Sequence, residues 1–278
     1  MTSFQKVIKY LAMALASFLA IAIIIGIANL GSIVISFIQG DNKSLTSSDS
    51  YNFEQAFSDI RSIDIRDIVG RVTFEEGSEF RVKVNEKSEN IKVSVSNRGT
   101  LKIREKRNSF FSKWFNDNNS SEVIIYLPKD FISQRTYIKS GVGKTRINFL
   151  STEKLEIKAG VGNVNGKNIK ADSVKINGGV GSISLKDVVF HEVDVDCGVG
   201  DLEIEGDIYG ESEFDCGVGN VLLDLNGKIE DYDLKIDSGI GSITVDGERV
   251  TNESYKNEDA LHKIDIDGGI GNVKIKFQ

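Results

Sequence analysis

The stretch LEIKAGVGNVNGKNIKADSVKINGGVGSISLKDVVFHEVDVDCGVGDLEI, residues 155–204, decides the fold. It holds three successive copies of one unit: an alternating strand pattern, a Gly-Val-Gly, a polar residue and a second alternating run. Seven such copies run through the second half of the chain. Their paired glycines are Gly141/Gly143, Gly160/Gly162, Gly179/Gly181, Gly198/Gly200, Gly217/Gly219, Gly239/Gly241 and Gly269/Gly271. The first glycines are spaced by 19, 19, 19, 19, 22 and 30 residues. A fixed period near 20 residues is the mark of a solenoid, whose coils bury their apolar faces against one another.

Register within the unit gives the type of coil. Positions five and three before the first glycine are nearly always apolar, as in Leu155/Ile157, Val174/Ile176 and Ile264/Ile266, and the position just before it is small, from Ser140 to Cys197, Cys216 and Gly268. Continuing the period of two expected of a strand places the residue between the glycines, Val142 through Ile270, inward as well. Apolar alternation then resumes one step out of phase after a polar residue such as Asn163, Ser182 or Asp201. Glycine with Asn, Ser or Asp at a phase break indicates a corner, because these residues tolerate left-handed backbone. Nineteen extended residues make a loop of roughly 60 Å, which suits a closed rung stacked about 4.8 Å from the next. The reading is all-β: a parallel β-solenoid of about ten coils of about 19 residues, preceded by one N-terminal transmembrane helix.

That helix is read from composition. The 278-residue chain carries no charge from Tyr10 to Gly40, a stretch rich in Ala, Leu and Ile that follows Lys6 and Lys9. It is longer than the apolar region of a signal peptide and reads as an anchor, its hydrocarbon span near Leu11–Leu30 and its N-terminus cytoplasmic. Residues 1–40 are therefore the cytoplasmic tip and anchor, and 41–52 a polar linker beginning DNKSLTSSDS. Residues 53–135 are worn coils that cap the stack, and 136–278 the regular repeat. Everything past the anchor belongs outside the cytoplasmic membrane. The net charge of −7 argues against a nucleic-acid partner.

Within the worn coils, Ile63, Ile65, Val69, Gly70, Val72 and Phe74 match the repeat, with Ile68 standing where the first glycine would be. The anchor, the runs SIDIRDIVGRVTF (62–74) and SEVIIYLPKD (121–130), and the repeated I-K-x-G-V-G-x-V units together resemble the putative-adhesin family of β-strand-repeat proteins. The resemblance covers about Phe53 to Phe277 and rests on pattern. It implies a membrane-anchored protein of Gram-positive bacteria encoded beside cell-envelope stress regulators, and supplies no catalytic or binding residues.

Several segments are candidate sites. Residues 106–121, KRNSFFSKWFNDNNSS, interleave Phe110, Phe111, Trp114 and Phe115 with Lys106, Arg107 and Lys113. Such a segment either enters a lipid interface or docks on a partner, or it folds its rings over the solenoid's end as a cap. A second candidate is an acidic ladder, in which Asp194 and Asp196 stack on Glu213 and Asp215 of the next coil. Like charges so placed repel, so the ladder is either a site for Ca²⁺ or Mg²⁺ or a face screened by salt.

Cys197 and Cys216 occupy equivalent inward positions on successive coils and are read as buried thiols rather than a disulfide. His191 and His262 have no metal-ligand spacing, and there is no serine elbow. The GVGK at Gly141 lacks the upstream glycine of a phosphate loop. The last coil ends at Phe277-Gln278 with an open edge, which either the insertion between Val245 and Ile264 covers or a second molecule pairs with, end to end.

The function expected is a non-enzymatic, cofactor-free binding or scaffolding module at the cell envelope, in adhesion or envelope-stress sensing. Its partners would be envelope lipids, a cell-wall polymer or a membrane regulatory protein. A self-associating structural solenoid and a carbohydrate-active β-helix enzyme are the alternatives.

Overall fold

The structure is a computed structural model and describes residues 51–86, 91–105, 121–250, 254–255, 257 and 259–278. The expected anchor and linker lie outside these, apart from residues 51 and 52. Among the described residues no helix is long and apolar enough to cross a membrane.

Alternation builds strands throughout. The first are β1 (Tyr51–Ala56), β2 (Ser62–Gly77), β3 (Arg81–Glu86), β4 (Ile91–Val95), β5 (Thr100–Glu105) and β6 (Ser121–Pro128). The repeat region gives β7 (Arg135–Ile147), β8 (Leu150–Val161), β9 (Val164–Val180), β10 (Ile183–Val199), β11 (Leu202–Ile208), β12 (Glu211–Val218) and β13 (Val221–Leu225). After a 3-10 turn at Ile229–Asp231 follow β14 (Tyr232–Ile240), β15 (Ile243–Val245), β16 (Glu248–Val250), β17 (Ser254–Tyr255), β18 (His262–Ile270) and β19 (Val273–Phe277).

One repeat is one rung. Val164, Ile183 and Leu202 lie side by side in parallel register, as do Val174, Val193 and Ser212. The core runs down the axis as stacked aliphatic columns such as Leu155, Val174, Val193, Ile264 and Leu234, with Phe74, Phe190 and Phe214 among its largest fully buried side chains. A rung alone would leave both of its edges in water, so stacking supplies the burial. Among the described residues the parallel stack has nine rungs, in the order β5, β2, β7, β8, β9, β10, β12, β18, β14.

That order departs from the chain. The C-terminal coil, β18 and β19, is not the end of the stack: β18 lies between β12 and β14, and β19 between β13 and β15. The terminal rung is the earlier 232–245 coil, and its outer edge carries antiparallel β16 on β15 and β17 on β14. The open edge expected at Phe277 is therefore absent, because both sides of that strand's rung are paired. The insertion does contribute edge strands, but over a different coil.

At the other end β2 stacks on β7 with Gly70 opposite Gly143. Ile68 does not stand in the first-glycine position. A bulge sets it opposite Ser140 with its side chain buried, and Asp67 takes the left-handed φ of 62° that the extra residue requires. β5 and β6 add the outermost rung, and antiparallel β4, β3 and β1 cover its flanks.

Candidate functional site: the glycine corner and its ladders

The Gly-Val-Gly unit is the corner itself. At its second glycine φ lies between 136° and 151° at Gly143, Gly162, Gly181, Gly200, Gly219 and Gly271, a region that side chains disfavour. Space is also closed: a Cβ on Gly162 would sit 1.7 Å from the Gly143 carbonyl oxygen. Gly241 departs from this pattern. Its φ is not positive, so the left-handed backbone expected of every repeat glycine corner is not adopted there. Gly241 belongs to the terminal 232–245 rung, which has a parallel neighbour on one side only, and contact alone requires glycine at it: a Cβ would lie 1.6 Å from the Gly271 carbonyl oxygen.

The first glycines are likewise held by contact, as at Gly160, where a Cβ would meet the Gly141 oxygen at 2.2 Å. Gly141 is the exception, with the Ile68 oxygen 3.9 Å away.

Because the corner spans both glycines, the residue between them lies at its apex and its side chain points to solvent. Val161, Val180, Val199, Val218 and Ile240 are 41–66% exposed. The inward placement expected from the period of two is thus reversed, because the turn begins one residue earlier than the phase break suggests. In-register stacking aligns these side chains, with Val69, Val142 and Ile270, into one ridge.

The polar residue after the corner serves the stack rather than the turn: none of Asn163, Ser182, Asp201, Asn220, Ser242 and Asn272 has a positive φ. The Asp201 Oδ1 accepts from the Asn220 backbone N–H at 2.9 Å, Asn220 Oδ1 from Asn272 at 3.1 Å, and Asn272 Oδ1 from Ser242 at 3.1 Å. Each carbonyl or carboxylate ties one rung's corner to the next, satisfying a backbone donor that the corner frees.

Beside the ridge lie the charged columns. Asp194 stands next to Glu213 and Asp196 next to Asp215, so the structure brings the expected ladder together. The rung that follows adds Asp265 and Asp267, and then Asp237. Lys175 pairs with Asp194, and Lys235 with Asp265 at 2.7 Å. Burial, then the neighbouring carboxylates Asp267 and Asp196, raise the Asp215 pKa above its ordinary value. Among the described residues no cluster of three or more metal-type side chains converges on a point.

Cys197 and Cys216 are buried free thiols on adjacent rungs; their mutual hydrogen bond and burial push the Cys216 thiol up, which makes it a poor nucleophile. Lys106, Arg107, Phe110, Phe111, Lys113, Trp114 and Phe115 lie outside the described residues. Their flanks are placed: Ser121 stacks on Gly70, and Glu105 Oε2 accepts from the Val69 N–H at 2.7 Å. Both flanking residues thus stand at the corner column.

Sequence reasoning missed an aromatic row. His191 and Tyr209 rings are 5.4 Å apart, Tyr209 and His262 5.1 Å, His262 and Tyr232 5.3 Å, and Tyr232 and Phe277 5.1 Å. His262 Nδ1 accepts from the Gly210 N–H at 3.1 Å, and the Tyr232 phenol is pushed up to about 12 by burial. These residues are brought together by the displaced C-terminal rung, and nothing in their spacing signals it.

The family model for Toastrack DUF4097 matches residues 60–248. A search of curated proteins finds no match. Solved structures that resemble the chain include a putative adhesin from Bacteroides fragilis NCTC 9343 (15% identity, 82% of this chain and 98% of that one, TM-score 0.43). Others are a putative adhesin from Parabacteroides merdae (14%, 84% and 97%, TM-score 0.38) and a putative lipid binding protein from Parabacteroides distasonis (14%, 84% and 98%, TM-score 0.43). With TM-scores below 0.5, these likenesses carry no argument about mechanism.

Proposed function

This chain belongs to the Toastrack DUF4097 family, and from that premise we propose that it is a non-enzymatic binding and scaffolding module of the cell envelope. Residues 1–40 anchor it in the membrane, the solenoid stands on the outer side, and its work is adhesion or the reporting of envelope stress. The observation that supports this reading is the ridge: stacked corners align one apolar column across eight rungs, exposed to solvent at five of them and half-buried at three, flanked by charge columns. An exposed apolar row of that length is a contact surface in waiting. Envelope lipid, a cell-wall polymer and a membrane regulatory protein are the partner classes that fit an extracytoplasmic module whose sequence carries an aromatic-basic segment.

The test uses residues 49–278, which form one compact unit containing the whole core. Trp114, the only tryptophan, reports on the segment 106–121. Its emission is recorded during titration with neutral vesicles, anionic vesicles and soluble cell-wall fragments. A blue shift with anionic vesicles or with wall fragments supports a binding module and identifies its ligand class. No response to any of them, together with no co-purifying membrane protein, would overturn the reading.

A further inference from the structure

We propose that the corner ridge is a self-recognition surface, on which two copies of this chain pack antiparallel about a two-fold axis with the basic end of each ridge against the acidic end of the other. The exposed column nearest the ridge changes sign halfway along the stack. It reads Arg66, Lys139, Lys158, Asn177 over four successive rungs and Asp196, Asp215, Asp267, Asp237 over the next four.

A two-fold axis perpendicular to both the stack and the ridge's outward direction reverses the rung order and keeps this flank against itself. Placed between the fourth and fifth rungs, it sets Arg66 against Asp237, Lys139 against Asp267 and Lys158 against Asp215, and each pair occurs twice, as isologous contact requires. Asn177 meets Asp196. A parallel arrangement would put each flank on the opposite flank of the partner and lose this match.

The other flank is neutral to this pairing: Arg71 and Lys144 meet Ser242 and Asn272, and Asp201 meets Ser182, so no like charges are opposed there. One column farther from the ridge, Asp64 meets Lys235 and Lys175 meets Asp194. The single like pair there, Glu156 with Glu213, is compensated by Arg135, which already holds Glu156.

The acidic half also has reason to accept a partner. Among the described residues no cation lies within ion-pair distance of Asp196, Asp215 or Asp267, and their mutual repulsion is what a partner's basic half would relieve. On the basic half, Arg66 is held by Asp64, Lys139 by Asp67 and Lys158 by Glu156; all three cations are half-exposed, and the Lys139–Asp67 pair, exposed on both sides, costs little to rearrange. The apolar row supplies the water-excluding centre, and the charge columns fix direction and register. Seven steps of about 4.8 Å make the ridge about 34 Å long. A strip of that length and about 15 Å width covers about 500 Å² per copy, at the small end of specific interfaces, so the dimer should be of micromolar strength.

The experiment is sedimentation velocity on residues 49–278 as wild type, Lys158→Asp, Asp215→Lys and the two variants mixed in equal amounts. Wild type should dimerise with an affinity that falls as salt rises. Each variant alone faces two like-charge contacts and should weaken the dimer by roughly tenfold or more. The mixture should dimerise again, since every exchanged pair is then opposite in sign. Both variants keep a net negative charge, so general attraction cannot produce that recovery. Recovery also shows that both are folded. A wild type that stays monomeric at high micromolar concentration, variants that associate as wild type does, or a mixture that fails to recover would each overturn the proposal. So would a monomer whose ridge binds anionic vesicles, which would assign the surface to lipid.

Discussion

Gly162 and Gly141 belong to the same sequence motif yet answer to different physics. Gly162 holds φ at 136° with a carbonyl oxygen 1.7 Å from any Cβ, whereas Gly141 has the Ile68 oxygen at 3.9 Å because the bulge there withdraws the neighbouring corner. Gly162→Ala should lower unfolding free energy by about 3 kcal/mol, and Gly141→Ala by less than about 1 kcal/mol, both read from urea midpoints. Asp215 gives a pH-dependent case. A carboxyl whose pKa is raised on folding contributes stability that is fully present below the ordinary value of 3.8 and lost as pH rises through the folded value. Asp215→Asn should therefore stabilise the protein at neutral pH by about 0.3 kcal/mol, with the gain vanishing below pH 3.8 and shrinking in high salt. The glycine pairs, the buried thiols and the acidic pairing of Asp194 with Glu213 were all legible as residues. The outward valines were not, because a period of two persists on paper through a corner that breaks it in space. Nor was the different backbone of Gly241, since its motif is the same as its neighbours' and only its place on the terminal rung sets it apart.

The solenoid rungs were legible for the same reason that their order was not. Every rung carries the same inward aliphatic columns, so any rung can stack on any other, and the sequence pattern holds no term for which two are neighbours. The trace of the rearrangement is in the spacing, where 19 gives way to 22 and then 30 just where the chain builds β14 first and returns to place β18 inside it. This insertion has a dynamic consequence. β18 is the one parallel strand partner of β14, which otherwise reaches the stack through the Tyr232 hydroxyl donating to the Ile208 carbonyl at 3.2 Å, so opening β18 frees all but that end of β14. Amide exchange should give the two strands one common opening free energy, while β8, β9 and β10 keep a higher one. Separate values, with β14 protected while β18 exchanges, would contradict the stacking order. Deleting residues 262–278 should for the same reason expose β12 and release the 232–245 coil together, seen as one lost block of protection.

At the scale of the molecule, the charge columns make the stack polar along its axis, basic toward β2 and acidic toward β14, and the ridge runs beside them as a straight edge. Neither property belongs to a residue or a strand; both arise only when the rungs are set in register. Glu105 and Ser121, which flank the segment carrying Trp114 in sequence, both stand beside that edge. A ridge that faces solvent outside the membrane is the centre of this account, and one labelling experiment addresses both halves of it. Val180→Cys is introduced into the full chain, and intact cells are treated with a membrane-impermeant maleimide, the wild type serving as control because Cys197 and Cys216 are buried. The account predicts labelling of the variant in intact cells, because a dimer of micromolar strength dissociates and frees the ridge, and little of the wild type. Labelling only after lysis would place the solenoid in the cytoplasm, and labelling only after denaturation would turn the ridge inward; either result would contradict it.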